Sequence, residues 1–423
     1  MGKIRIRSLV LISVIFCIML ENLFYAIPIL SSLGAMYEFT PFIYAFLAFT
    51  CFINRHIRNT INPYCKKINK FLVVVFLLVF IESVYTVAFG GISFDEVMIS
   101  AESYLKLLLV YPIIYILCMY GENRTNLYIS MVLCTMICYC AYIAVVFNQT
   151  GANLNPILIY NERRLRGGTI RIQSIALLWF ALPICFNEFL HMKQKIKKIF
   201  LGAVSFGLLA YFIFINQSRS HYLALIAMMI VMYFCKERRG KRQLLLVIIG
   251  TIGAIAVINS QFFQEFLFTF STSYSESTTT ERILIIADLN NAVRRMPLGY
   301  LFGMGIRNTA EINGVVRWFM DIGLLGDFFN TGILSLVLFG YMVTRLVKNA
   351  RILKAFNNKD RTFLVGIAVY LLAGILGYTV LPYTRIFSIP FILAYCEYLG
   401  MEACDRRGHR PQWGQTVRPA KGI

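Results

Sequence analysis

The sequence predicts an all-α protein, a polytopic membrane helix bundle of about twelve spans, and three observations predict it. First, 58% of the 423 residues are hydrophobic and only 15% are charged, so the polar residues cannot coat a water-facing surface. Second, the apolar residues come in blocks of roughly twenty, the length a helix needs to cross a bilayer. Third, the loops between the blocks alternate in charge. The mean hydropathy of +0.67 agrees.

Taken in order, the expected spans are Ser8–Leu30, Gly34–Ile53, Phe71–Phe89, Val97–Tyr120, Leu127–Phe147, Ser174–Leu190, Ile199–Asn216, His221–Cys235, Leu244–Asn259, Ile322–Leu346, Phe363–Leu381 and Ile386–Ala403. The first block is too long for a signal-peptide core and lacks a small-residue cleavage site, so it is expected as a retained span. No internal repeat and no soluble domain is visible, so residues 1–423 read as one integral membrane domain.

The net charge of +20 reads as topology, not as nucleic-acid binding, because the charges sit in short loops. One set of loops holds Arg55, Arg58, Lys66, Lys67 and Lys70, then Lys193–Lys198, Lys236–Arg242 and Arg345–Lys359. The positive-inside rule assigns this set and both termini to the cytoplasm, which requires an even number of spans. The eleven cysteines lie mostly inside apolar blocks with no metal-ligand spacing; Cys138 and Cys140 are expected as packing residues.

On the opposite side the basic residues are all arginine: Arg163, Arg164, Arg166, Arg171, Arg219, Arg282, Arg294, Arg295, Arg307, Arg317 and Arg385. Arginine there opposes topology. Its planar fork binds phosphate bidentately and stays charged when desolvated. Two outer segments are long. Residues 148–173 hold the run Glu162-Arg163-Arg164-Leu165-Arg166, and residues 260–321 hold Thr278 and Glu281 in a capping-box spacing. Ile286, Leu289, Val293 and Met296 follow at helical spacing until Pro297, which predicts an amphipathic helix.

Several residues carry candidate chemistry. Arg219 lies in the short connection Asn216–His221, where snorkelling is the plain alternative to ligand binding. Arg282 sits in the first turn of the amphipathic helix, where the helix dipole disfavours a cation. Glu102 and Lys106 are spaced to pair within the fourth span, and intramembrane charges face a bundle interior or a wet cavity. Asp321 borders the outer loop, where a carboxylate acts either as a general base or as a helix cap.

Together these elements resemble the bacterial O-antigen polymerase (Wzy) and O-antigen ligase superfamily. The resemblance rests on Ser218-Arg219, Arg282, Pro297, Gly303-Met304-Gly305 and Gly332-Ile333, in that order, and covers about residues 160–345. It implies a GT-C-like bundle in the bacterial cytoplasmic membrane with one large extracytoplasmic loop containing short helices. It implies a metal-independent glycosyltransferase without cofactor, acting on undecaprenyl-diphosphate-linked oligosaccharide. Arg164, Arg166, Arg219 and Arg282 would hold the diphosphate, Asp321 would serve as base, and Glu102, Lys106 and Arg385 would line a cavity. Membrane lipids and a chain-length regulator are the expected partners, and nucleic acid is not. Ligases of the superfamily carry a His-Asn where this sequence has Asp321-Ile322, which favours polymerase over ligase; a lipid-linked-oligosaccharide flippase is the other alternative.

Overall fold

The structure is a computed structural model and describes residues 6–23, 40–152, 154, 165–166, 169–172, 176–236, 274–307, 309–312, 314–354, 357–375, 381 and 385–406. Helices dominate. In chain order they are α1 (Ile6–Leu23), α2 (Thr40–Ile53), α3 (Arg55–Phe89), α4 (Phe94–Glu102), α5 (Val110–Tyr120), α6 (Glu122–Thr150), α7 (Ala181–His191), α8 (Lys195–Tyr211) and α9 (Arg219–Lys236). They continue as α10 (Tyr274–Arg295), α11 (Gly299–Phe302), α12 (Leu324–Leu353), α13 (Asn358–Ala373) and α14 (Ile389–Arg406). Two small antiparallel hairpins interrupt them, β1 (Leu165–Arg166) with β2 (Thr169–Ile170), and β3 (Thr309–Ile312) with β4 (Val315–Trp318).

Among the described residues, six helical segments are long and apolar enough to cross a membrane: Arg55–Phe89, Phe94–Tyr120, Glu122–Thr150, Lys195–Asn216, Leu324–Leu353 and Ile386–Asp405. Shorter apolar helices at Thr40–Ile53 and Ser220–Lys236 pack among them. Large apolar side chains face outward around this bundle, with Val73 at 69% and Phe80 at 66% exposure, which suits lipid and not water. The chain is therefore an all-α membrane protein. The expected span Leu244–Asn259 and parts of the first, second, sixth and eleventh lie outside the described residues, and the described parts of the other expected spans are largely helical.

Long-range contacts sort the helix ends into two groups. At one end Asn358 donates to the Lys236 carbonyl, and Lys359 pairs with Glu188 and donates to Asn123. At the other end Arg307 reaches Gly90, Arg171 reaches Asn216, and the Leu324 amide donates to the Ile375 carbonyl.

Three expectations need correction. Residues 55–70 are not a loop but the first half of α3, capped by the Asn54 side chain and burying Ile57, Ile61, Cys65 and Ile68 at helical spacing. At 35 residues α3 is about 50 Å long, well beyond the hydrocarbon thickness. Arg345, read as part of a basic loop, is buried in α12 and paired with Glu397 of α14 through two bonds of 2.5 and 2.6 Å. Cys140 is buried, but Cys138 is exposed and does not pack.

The outer segment has its own core. Helix α10 begins at Tyr274, so Thr278 is not its cap. Its buried face is Ile285, Leu289 and Val293, with Ile286 and Met296 beside it, packed on Met304, Ala310, Phe319, Ile322 and Phe329. The chain leaves the helix at Pro297, as expected, through Leu298 in the left-handed conformation. Arg317 of β4 holds Asp288 of α10 through Nε and Nη2 at 3.0 and 2.6 Å.

Candidate functional site

The best-defined polar feature at the end of the bundle that carries the arginine-only loops is built where α8 meets α9. Helix α8 ends in a π-turn, Phe212–Asn216, and Gln217 takes a left-handed conformation with φ of 53°. This permits a sharp reversal, and α9 starts at Arg219. The segment after β2 docks on this reversal. The Ile172 amide donates to the Ile215 carbonyl at 3.1 Å, Asn216 donates back to the Ile172 carbonyl at 3.1 Å, and Arg171 Nε donates to the Asn216 carbonyl at 3.0 Å. The β1–β2 hairpin, which carries Arg166, is thereby fixed beside the turn that carries Arg219.

Below the turn lies a dry aromatic stack. His221 is 1% exposed, sits parallel to Phe212 and bonds the Tyr370 hydroxyl; Tyr370 stacks on Trp179 at 4.1 Å. Arg385, half-buried before the last helix, is close enough to His221 to act on it electrostatically. Arg171, the start of α9 and Arg385 thus belong to one corner of the bundle.

The other expected residues are placed as follows. Arg163 and Arg164 lie outside the described residues. Arg166 is in β1, and Arg219 opens α9, with main-chain positions described for both. Arg282 is exposed on α10, in a helix that packs on the outer core around α12. Asp321 lies in a 3-10 turn, Phe319–Ile322. It is not the cap of α12, because the N-cap residue is Gly323, at φ of 63°.

Lys106 gains a partner that the spacing did not show. Its ammonium pairs with Glu21 of α1 at 3.0 Å, and Tyr44 donates to the same carboxylate at 2.7 Å. Both charges are nearly sealed, with side-chain exposures of 3% and 2%. Residues Ser103–Leu109, which carry Lys106, form a 3-10 stretch that follows Glu102.

Sequence reasoning missed a second polar site, at a break in α12. Thr331 and Gly332 leave helical geometry there, with Gly332 at φ 47° and ψ −125°. The glycine-rich segment 299–305 fills the break. A Cβ on Gly332 would stand 2.1 Å from the Leu301 carbonyl oxygen, and one on Gly303 would stand 2.4 Å from that of Asn330. The Met304 amide donates to the Phe329 carbonyl at 2.8 Å. From α3, the Tyr85 hydroxyl donates to the Pro297 carbonyl at 2.8 Å, and Thr86 Oγ1 accepts the Ile306 amide at 2.9 Å. Buried beneath are Glu82 and Asp327. Arg307 closes the edge, with Nη2 donating to the Gly90 carbonyl at 2.9 Å; burial pulls its pKa below the ordinary arginine value. The visible signal was a glutamate inside an apolar block.

No protein-family profile matches the chain, and no curated protein matches its sequence.

Proposed function

We propose that this protein is a polymerase of undecaprenyl-diphosphate-linked oligosaccharide repeat units, working at the outer face of the bacterial cytoplasmic membrane. The reading takes about twelve spans in a GT-C-like arrangement, with both termini in the cytoplasm. One observation supports it above the others: Arg171 is hydrogen-bonded to the main chain of the turn that leads to Arg219, and Arg385 acts electrostatically on His221 two residues beyond it.

The chemistry follows from that corner. An acceptor hydroxyl on one repeat unit attacks the anomeric carbon of a lipid-linked chain. The new glycosidic bond forms as the bond from that carbon to the diphosphate oxygen breaks, and undecaprenyl diphosphate leaves with the electron pair. Guanidinium groups hold that diphosphate and stabilise the charge it gains. Asp321 takes the hydroxyl proton. The seated outer segment, with its separate core, supplies the acceptor side.

The glycan profile of a deletion strain tests the reading. Loss of the polymerase leaves single repeat units attached to their final acceptor. Polymer left on the lipid carrier would instead make this a ligase. Repeat units trapped in the cytoplasmic leaflet would make it a flippase.

A further inference from the structure

Glu82 is fully buried in α3, and among the described residues no side chain and no ion pair meets its carboxyl; the one donor within reach is the Leu334 main-chain amide. The groups facing it are the Tyr104 ring of the 3-10 segment, on which Asp327 of α12 also acts, and Tyr85 on its own helix, on which Arg307 also acts. The Leu334 amide also faces it, from the first turn of α12 after the break. That amide end of the resumed helix is the only positive pole among the groups facing Glu82, and it is a partial one. A carboxylate without a full counter-charge is not sustained in so dry a place; the neutral acid is.

The main chain of Glu82 is tied to segment 299–307 through Thr86. Thr86 Oγ1 donates to the Glu82 carbonyl at 2.6 Å and accepts the Ile306 amide at 2.9 Å. On the facing helix, the Arg307 amide donates to Asn330 Oδ1 at 3.3 Å, one residue from the break. Segment 299–307 therefore rests on both walls of the Glu82 site. Lifting it would open the break and admit water to the acid.

We propose that Glu82 is a proton-binding site, occupied while segment 299–307 is seated and vacated when the segment lifts. The carboxyl O–H bond breaks on lifting, the proton passes to water at the outer face, and the carboxylate becomes solvated. Reseating takes one proton back. The seated state holds one proton more than the lifted state, so rising pH favours lifting. The device is independent of which substrate the outer segment handles.

Hydrogen–deuterium exchange on the full chain in lipid nanodiscs tests this, read at the Met304 and Ile306 amides and corrected for the intrinsic pH dependence of exchange. Expected is constant protection at low pH, then a loss approaching about tenfold per pH unit once Glu82 releases its proton in the lifted state. Glu82→Gln, an uncharged mimic of the acid, should keep protection flat with pH. Glu82→Met fits the same dry site and should also be flat, should the amide variant fail to insert. A flat wild-type profile would overturn the proposal. So would a pH dependence that either variant retains, or a wild-type dependence on sodium concentration at fixed pH, which would make the ligand a metal ion.

Discussion

Arg171 Nε donates to the main-chain carbonyl of Asn216 at 3.0 Å, so the outer arginine hairpin and the turn leading to Arg219 form one unit. The turn is tight, and its left-handed Gln217 fixes where α9 starts. Arg219 therefore has little freedom to leave the membrane edge.

Lysine at that position separates two roles. A snorkelling arginine is replaced well by lysine, whose stem and charge are similar. A bidentate grip on a diphosphate is not, because lysine offers a point charge. One charge-assisted hydrogen bond is worth roughly 1.5–3 kcal/mol, or on the order of ten- to a hundred-fold in rate. Arg219→Lys is expected to insert normally and make far less long-chain glycan, with Arg219→Ala worse. The measurement is glycan length normalised to protein level. A wild-type profile from the lysine variant would reduce Arg219 to a topological residue.

Two glycines with similar positive φ should respond differently to alanine. A Cβ on Gly303, at φ 64°, would stand within 2.6 Å of the main-chain oxygens of Asn330 and Phe329, whereas one on Gly314, at φ 75°, would meet nothing within 4 Å. Gly314→Ala should cost about 1–2 kcal/mol of left-handed strain and leave polymer length unchanged. Gly303→Ala must also push the outer segment off the break, and should abolish polymer while the bundle still inserts. Thermal unfolding and glycan profiles on both variants check this, and equal effects would contradict it.

The Arg345–Glu397 pair is buried at 8% and 3% exposure. Removing one partner strands a charge inside the bundle, at about 3–5 kcal/mol. Arg345→Ala should therefore lower the unfolding temperature of the purified protein sharply. Arg345→Met with Glu397→Met should recover most of the loss. A single variant as stable as wild type would show that the pair contributes little.

How much of this was legible in the sequence follows the range of the forces involved. Helical blocks were legible because twenty apolar residues are a local pattern, and so was α10, whose buried Leu289 and Val293 fall at the expected spacing. The first half of α3 was not, because its arginines and lysines hide the buried Ile57–Ile61–Cys65–Ile68 stripe. The partner of Lys106 was not, because Glu21 is 85 residues away and only packing brings it near. Glu82 could have been noticed as an ionisable group in an apolar run, but its place beneath the break in α12 depends on Gly332, 250 residues later. The arginines were legible in residue type, whereas the seams of Arg171 to Asn216 and Arg385 toward His221 are tertiary.

Asp321 sits two residues before Gly323, the N-cap position of α12. Asp321→Asn keeps the size of the side chain and cannot accept the hydroxyl proton. It should express, fold and lose polymer by at least about a hundred-fold, the lower range of general-base contributions. Normal chain lengths would exclude Asp321 as the base.

The most direct measurement is chain growth by the purified protein in liposomes, supplied only with an undecaprenyl-diphosphate-linked repeat unit and a metal chelator. The expected result is a ladder of lipid-linked products with one undecaprenyl diphosphate released per unit joined, lost in Arg219→Ala. Transfer of the repeat unit across the bilayer without a ladder, or a ladder that appears only on adding a divalent cation, would contradict the account.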